Sequence, residues 1–199
     1  MKKNRIRIAT CALTWSGILM ASAADAQAVY RNQAFGVVVP APLGYALCPN
    51  EGATDHGAIF VKGTPEKCRS GTYVEDRIGV SAWHSQAGDI DDLPPIRRAI
   101  AADKCKPAPD RKILAFGSAK RSVAGLPTFF CAMEILHPTS KRWEYFAALI
   151  FFRGQASLPI GPYPIYEYTL TVGGAPDQSA EAERLLYRTA RRVRLLPID

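Results

Sequence analysis

Cys48, Cys68, Cys105 and Cys131 follow a segment with the make-up of an export leader, and that conjunction constrains the fold more than any other feature of the chain. Met1 to Arg7 carries Lys2, Lys3, Arg5 and Arg7 and no acid. Ile8 to Ala24 is apolar through Leu13, Trp15, Ile18, Leu19 and Met20, and small residues close it at Ala21-Ser22-Ala23-Ala24-Asp25-Ala26-Gln27-Ala28. A positive start, an apolar middle and small residues at Ala-x-Ala positions form the pattern of a secretory signal peptide. A membrane anchor needs about 20 continuous apolar residues, whereas Thr10, Thr14, Ser16 and Gly17 interrupt this run. Cys11 precedes most of the apolar stretch, so it is not placed as a lipid-bearing cysteine. The expectation is a leader over residues 1–28, cut after Ala26 or Ala28 (both fit), and one periplasmic or extracellular domain over residues 29–199 without a transmembrane anchor.

In an oxidising compartment an even number of cysteines reads as disulfides. Four cysteines allow three connectivities, and sequence alone does not choose among them. Cys48–Cys68 with Cys105–Cys131 is favoured, because each pair then brackets one local excursion between predicted strands. Each closure is worth roughly 3 kcal/mol in the chain-entropy picture. A zinc site wants close C-x-x-C pairs, and the chain has none.

The same leader alters the charge argument. The whole chain carries a net charge of +7; without residues 1–28 it has 21 basic and 17 acidic residues, a net +4. Much of that excess falls near the C-terminus. Export also argues against nucleic acid as a partner and leaves an envelope protein, or alternatively anionic lipid bound through the C-terminal arginine face, as the candidate.

Alternation and helical spacing outline an α+β chain. Val37-Val38-Val39 reads as a strand stopped by Pro40-Ala41-Pro42, and residues 43–75 as an irregular, Gly- and charge-rich loop with a short apolar run at residues 58–61. Ile78, Val80 and Ala82 alternate with Gly79, Ser81 and Trp83. Ile96, Ala99 and Ile100 predict a short helix over residues 93–102, begun by Pro94-Pro95. Strands follow near Ile113–Ser118 and over Phe129–Ile135, and then at Trp143–Phe152, which is apolar on both faces and therefore placed centrally. Over Ile165–Val172, Tyr166, Tyr168, Leu170 and Val172 point inward and Glu167, Thr169 and Thr171 outward. A long closing helix runs from Pro176-Asp177 to about Leu195, with Ala182, Leu186, Ala190 and Val193 on one face and Arg184, Arg188 and Arg191 on the other, flanked by Arg192 and Arg194. The order predicts helices packed on a mostly antiparallel sheet.

Chemistry-bearing motifs are sparse. The G-x-S-x-G elbow does not occur. Ser81 and Ser85 neighbour His84, which leaves a periplasmic hydrolase assembled around His56 or His84 as an alternative. His56, His84 and His137 stand alone, without the paired spacing of zinc ligands. Asp89, Asp91 and Asp92 lack the ligand register of an EF-hand, and Asp91-Asp92 before Leu93-Pro94-Pro95 read as helix-start carboxylates. Gly173-Gly174 is an isolated pair, not a phosphate loop. No cofactor is called for. The candidate binding residues are Asp55, His56, Trp83 and His84, and on the closing helix Arg184, Arg188 and Arg191, whose bland reading is a solvated face with Glu181 paired to Arg184.

Arg31-Asn32 followed by Phe35-Gly36-Val37-Val38-Val39-Pro40 resembles the opening of small exported bacterial proteins with a PsbP/Mog1-like fold. Asp55-His56-Gly57 before Ile59, the strand ending in Trp83, Gly125-Leu126-Pro127 and the closing helix are similar in order. The resemblance spans most of the chain after the leader and departs in the Cys48–Cys68 segment. It implies an α/β/α sandwich around an antiparallel sheet and carries over no catalytic residue. The family is largely non-enzymatic or uncharacterised, so the functional expectation is a non-catalytic binding or accessory module, of inhibitor or immunity type, recognising another envelope protein.

Overall fold

A computed structural model describes residues 27–48, 56–70, 77–86, 93–154 and 164–198. Its centre is a seven-stranded antiparallel sheet in the order β3-β4-β5-β9-β8-β7-β6. The strands are β3 Tyr45–Cys48, β4 Gly57–Lys62, β5 Arg77–Gln86, β6 Arg111–Ser118, β7 Thr128–Leu136, β8 Trp143–Gly154 and β9 Pro164–Gly174. A small second sheet, β1-β2-β10, joins β1 Val29–Asn32, β2 Val37–Pro40 and β10 Arg194–Leu195. The helices are α1 Leu93–Lys104 and α2 Ser179–Ala190.

Side-chain alternation sorts the core into two layers. On one face Phe60, Ile78, Val80, Leu149, Phe151, Tyr168, Leu170 and Val172 pack with Leu186 of α2 and with Val37 and Val39 of the small sheet. On the other, Cys131, Met133, Ala148, Ile150, Phe152 and Ile165 pack with Ala101 and Cys105 at the end of α1. β8 feeds both layers, as its two-sided apolar run predicts, and it lies beside β9 in the sheet interior. Both disulfides have the favoured pairing, Cys48–Cys68 and Cys105–Cys131. The fold is the expected α+β arrangement, with helices on both faces of an antiparallel sheet.

The Asn32 and Gly36 of the opening motif are explained by one turn. Asn32 is buried; its Oδ1 accepts the Phe35 N–H (3.2 Å) and its Nδ2 donates to the Tyr30 hydroxyl (3.1 Å). Gly36 sits at φ +57, and a Cβ there would lie 2.6 Å from Ile198 and 2.8 Å from the Leu196 carbonyl. Only glycine allows both the left-handed turn and the approach of the C-terminal strand.

Four expectations need correction. Residues 43–75 are not one loop: 45–48 and 57–62 pair as strands of the main sheet, and Pro65–Ser70 forms a 3-10 turn tied to Cys48. Short strands rich in Gly and charge carry too little alternation to be read locally. The α1 helix runs two residues further than expected, to Lys104, and equals α2 in length at 12 residues. The closing helix stops at Ala190, after which Arg194 and Leu195 pair with Val38 and Val37. Glu167 does alternate away from Tyr168, yet it is buried rather than solvent-facing, because Lys104 at the end of α1 closes over it at 2.6 Å.

Candidate functional site

The face of the sheet that α1 packs on is covered over β7 and β8. Among the described residues its β4–β5–β9 part is left open, and the pattern of small residues there makes it concave. Cross-strand neighbours Ile59, Gly79 and Thr171 form one row, and Gly57, Ser81 and Thr169 form the next. The glycines are required by close approach: a Cβ on Gly57 would meet the Val80 carbonyl at 2.3 Å, and one on Gly79 would meet Thr171 Oγ1 at 2.4 Å. The result is a trough of two adjoining depressions, of about 320 and 220 Å³, that share Ile59, Gly79 and Thr171. Arg77, Glu144 and Phe146 line its far end.

At the near end the walls are aromatic. His56 and Trp83 stack with ring centroids 4.3 Å apart and planes within 4°. His56 Nδ1 lies 3.1 Å from the Ala82 carbonyl, which fixes the imidazole over the indole. Trp83 remains 46% exposed, so the stack presents an aromatic face to solvent at the rim. On the other side of β5, His84 joins Phe35 (5.6 Å) and Tyr166 (6.2 Å), and Phe35 reaches His56 at 5.2 Å around the strand end. Phe35 is held by the Tyr168 hydroxyl, which donates to its carbonyl at 2.6 Å; burial pushes the Tyr168 pKa up to about 12, keeping that donor protonated.

Beneath the rim lies Glu167, paired in register with Trp83. Its carboxylate accepts from Lys104 Nζ at 2.6 Å and lies 3.5 Å from the Thr169 hydroxyl. A carboxylate so engaged holds α1 and β9 together at the trough's edge. Among the described residues no group of three His, Cys, Asp or Glu side chains is placed to hold a metal ion.

Of the residues singled out in the sequence, the structure thus gathers His56, Trp83 and His84 at one end of the sheet. Asp55 lies outside the described residues, as do Asp89, Asp91 and Asp92 and the side chain of Ser85. Ser81 and His84 lie on opposite faces of β5, so the strand does not bring them together. Arg184 and Arg188 are exposed on α2 and line a separate groove; Arg191 is the exposed residue that ends the helix and is not part of that groove. Phe35, Tyr166, Glu167 and Lys104 do not line the trough but brace its aromatic end, Phe35 against His56 and Glu167 in register with Trp83, and were missed. The alternation of β9 marks which face Glu167 is on, but nothing local says that another element covers that face.

No protein-family model and no curated protein sequence matches the chain. Among solved structures it is similar to LpqN of Mycobacterium tuberculosis, described as involved in cell envelope biogenesis, at a TM-score of 0.55 and 14% identity over 88% of each chain. Cyanobacterial PsbP from Synechocystis is similar at a TM-score of 0.49 and 12% identity, over 94% of this chain and 98% of that one. The Ran-binding protein Mog1p of Saccharomyces cerevisiae is similar at 0.41 and 9%, over 80% and 90%. The likeness to PsbP and Mog1 proteins that the short motifs carry is therefore met again among solved structures. At such identity the likeness to LpqN speaks for the fold alone.

Proposed function

We propose that this protein is an exported, non-catalytic binding module of the cell envelope that recognises an extended segment of another envelope protein in its open-face trough. The observation that carries the reading is the Trp83–His56 stack standing, solvent-accessible, over a floor of Gly57, Gly79, Ser81, Thr169 and Thr171. An exposed aromatic beside a preformed depression is the usual form of a binding hot spot. The trough is too small for a folded surface and suits a few consecutive side chains. LpqN, which shares the fold, has an envelope role in its own organism, in agreement with this reading.

The test compares partners cross-linked from envelope extract by the parent protein with those taken by Trp83→Ala and, independently, by Ser81→Leu, which fills the floor. One partner should be held by the parent and weakened about 30-fold by either change, the scale of a hot-spot residue. A partner taken equally by all three proteins refutes the reading. Arg121→Glu, on an exposed loop, should leave capture unchanged.

Export belongs to the same proposal, supported by the leader-like segment and by the pairing of all four later cysteines. The hydrogen bonds of Ala41 favour the first of the two cleavage positions. The buried Ala41 donates its N–H to the Ala28 carbonyl at 2.8 Å, and its carbonyl accepts from the Gln27 side chain. Cleavage after Ala28 orphans the buried Ala41 N–H and leaves its carbonyl to Arg192 alone; cleavage after Ala26 keeps the Ala28 and Gln27 partners. Intact mass of the exported protein should therefore correspond to residues 27–199, and a chain starting at Val29 would contradict this.

A further inference from the structure

A further depression of different chemistry lies on the α2 side of the sheet, beyond the far end of the trough. The β2–β3 turn and the outer side of α2 enclose a groove of about 380 Å³. Arg184, Arg188 and Arg192 line it at a regular four-residue spacing, Lys62 of β4 contributes a further cation, and Glu181 is the one acid among the described lining residues. The expected Glu181–Arg184 pair does not form, and among the described residues neither Arg184 nor Arg188 is ion-paired. Arg192 Nη1 donates to the Ala41 carbonyl at 3.3 Å, tying the turn to the end of α2. At the tip of that turn Leu43 is 81% exposed, with Gly44 at φ +78 directing the chain back into β3.

Three cations without acidic partners attract an anion, and the protruding leucine among them narrows its kind. A small soluble anion would satisfy the arginines and leave Leu43 in water. An anionic lipid surface satisfies both, because phosphates lie at the depth of the guanidinium groups and the acyl boundary begins just beneath them. We propose that this groove docks the protein on an anionic lipid surface, with Arg184, Arg188 and Arg192 on lipid phosphates and Leu43 entering the acyl boundary. The site lies on the α2 side of the sheet; it meets the far end of the trough at Gly173 and Gly174 but shares neither its arginines nor Leu43 with it, and it stands or falls independently of the Trp83 end.

The experiment measures co-sedimentation with phosphatidylcholine vesicles, alone or with about a third of the lipid as phosphatidylglycerol. It uses protein recovered from cells expressing the full chain, its N-terminus established by mass. The parent should bind only the anionic vesicles and lose at least about tenfold in affinity from low to high salt, as screened charges do. R184E/R188E should lose at least about 30-fold, from the contribution of each cation near the surface. Leu43→Asp should lose about tenfold at unchanged net positive charge on the arginines. R121E/R142E makes the same change in net charge at exposed positions elsewhere and should lose no more than about threefold. All these positions are exposed, and circular dichroism confirms that each variant is folded. Equal binding to neutral vesicles, no binding, an equal loss in R121E/R142E, or binding to soluble polyglutamate in place of vesicles each overturns the proposal.

Discussion

Replacing both Cys105 and Cys131 with alanine should lower the free energy of unfolding by about 3 to 4 kcal/mol. The bridge closes 26 residues of chain, and Cys131 is fully buried in the layer beneath α1. Its removal releases loop entropy to the unfolded state and also frees the helix. Ala101 is the one fully buried side chain of the described α1 residues, with Ile96 and Ile100 only partly covered, so α1 depends on the bridge for its place on the sheet. A thermal midpoint lower by about 10 °C is the corresponding shift for a chain of this size. An unchanged midpoint would show that apolar packing alone seats α1. Removing Cys48–Cys68, which closes 20 residues, should cost nearly the same, since the entropy depends only logarithmically on loop length. That second loss should be local, because the bridge staples the edge strand β3 to the Pro65–Ser70 turn.

Lys104→Met should cost about 2 to 3 kcal/mol, through Glu167. The glutamate is 4% exposed, and losing its ammonium partner leaves a carboxylate in the sheet interior. Lys104 itself keeps 37% of its side chain in water, which admits solvent to the vacated position and holds the loss below that of a fully enclosed pair. The double variant Lys104→Met with Glu167→Gln should recover most of the difference, since a neutral amide needs no counter-charge and Thr169 remains beside it. Equal stability of the single and double variants, measured by denaturant unfolding, would mean that lost packing of the lysine stem, not the stranded charge, sets the cost. The partner-binding test reads the same pair differently: Glu167 backs Trp83 across β5 and β9, so the single variant should also weaken recognition in the trough.

How much of this was legible depends on how local each feature is. The alternation of Ile78, Val80 and Ala82, and of Tyr166, Tyr168, Leu170 and Val172, identified β5 and β9 and their core-facing sides correctly. The two-sided apolar run of β8 placed it in the sheet interior. Buried Ala182, Leu186 and Ala190 confirm the inner face read for α2. β3 and β10 escaped because four and two residues are too few for an alternation to stand out from their surroundings, and the arginine run hid the end of α2 by continuing its spacing to Arg192. His56 and Trp83 were each noticed, but 27 positions separate them and only the pairing of β4 with β5 stacks their rings.

Residue periodicity by itself therefore determined the class of the fold and the inner faces of its strands and closing helix. The tertiary structure decided the strand order β3-β4-β5-β9-β8-β7-β6, the choice among three disulfide pairings, the burial of Glu167 under Lys104, and the replacement of Arg191 by Arg192 beside Leu43. The division has one physical cause. Facing direction follows from backbone geometry within a few residues, whereas what covers a face is set by contacts closed across long stretches of chain, to which no local pattern is sensitive.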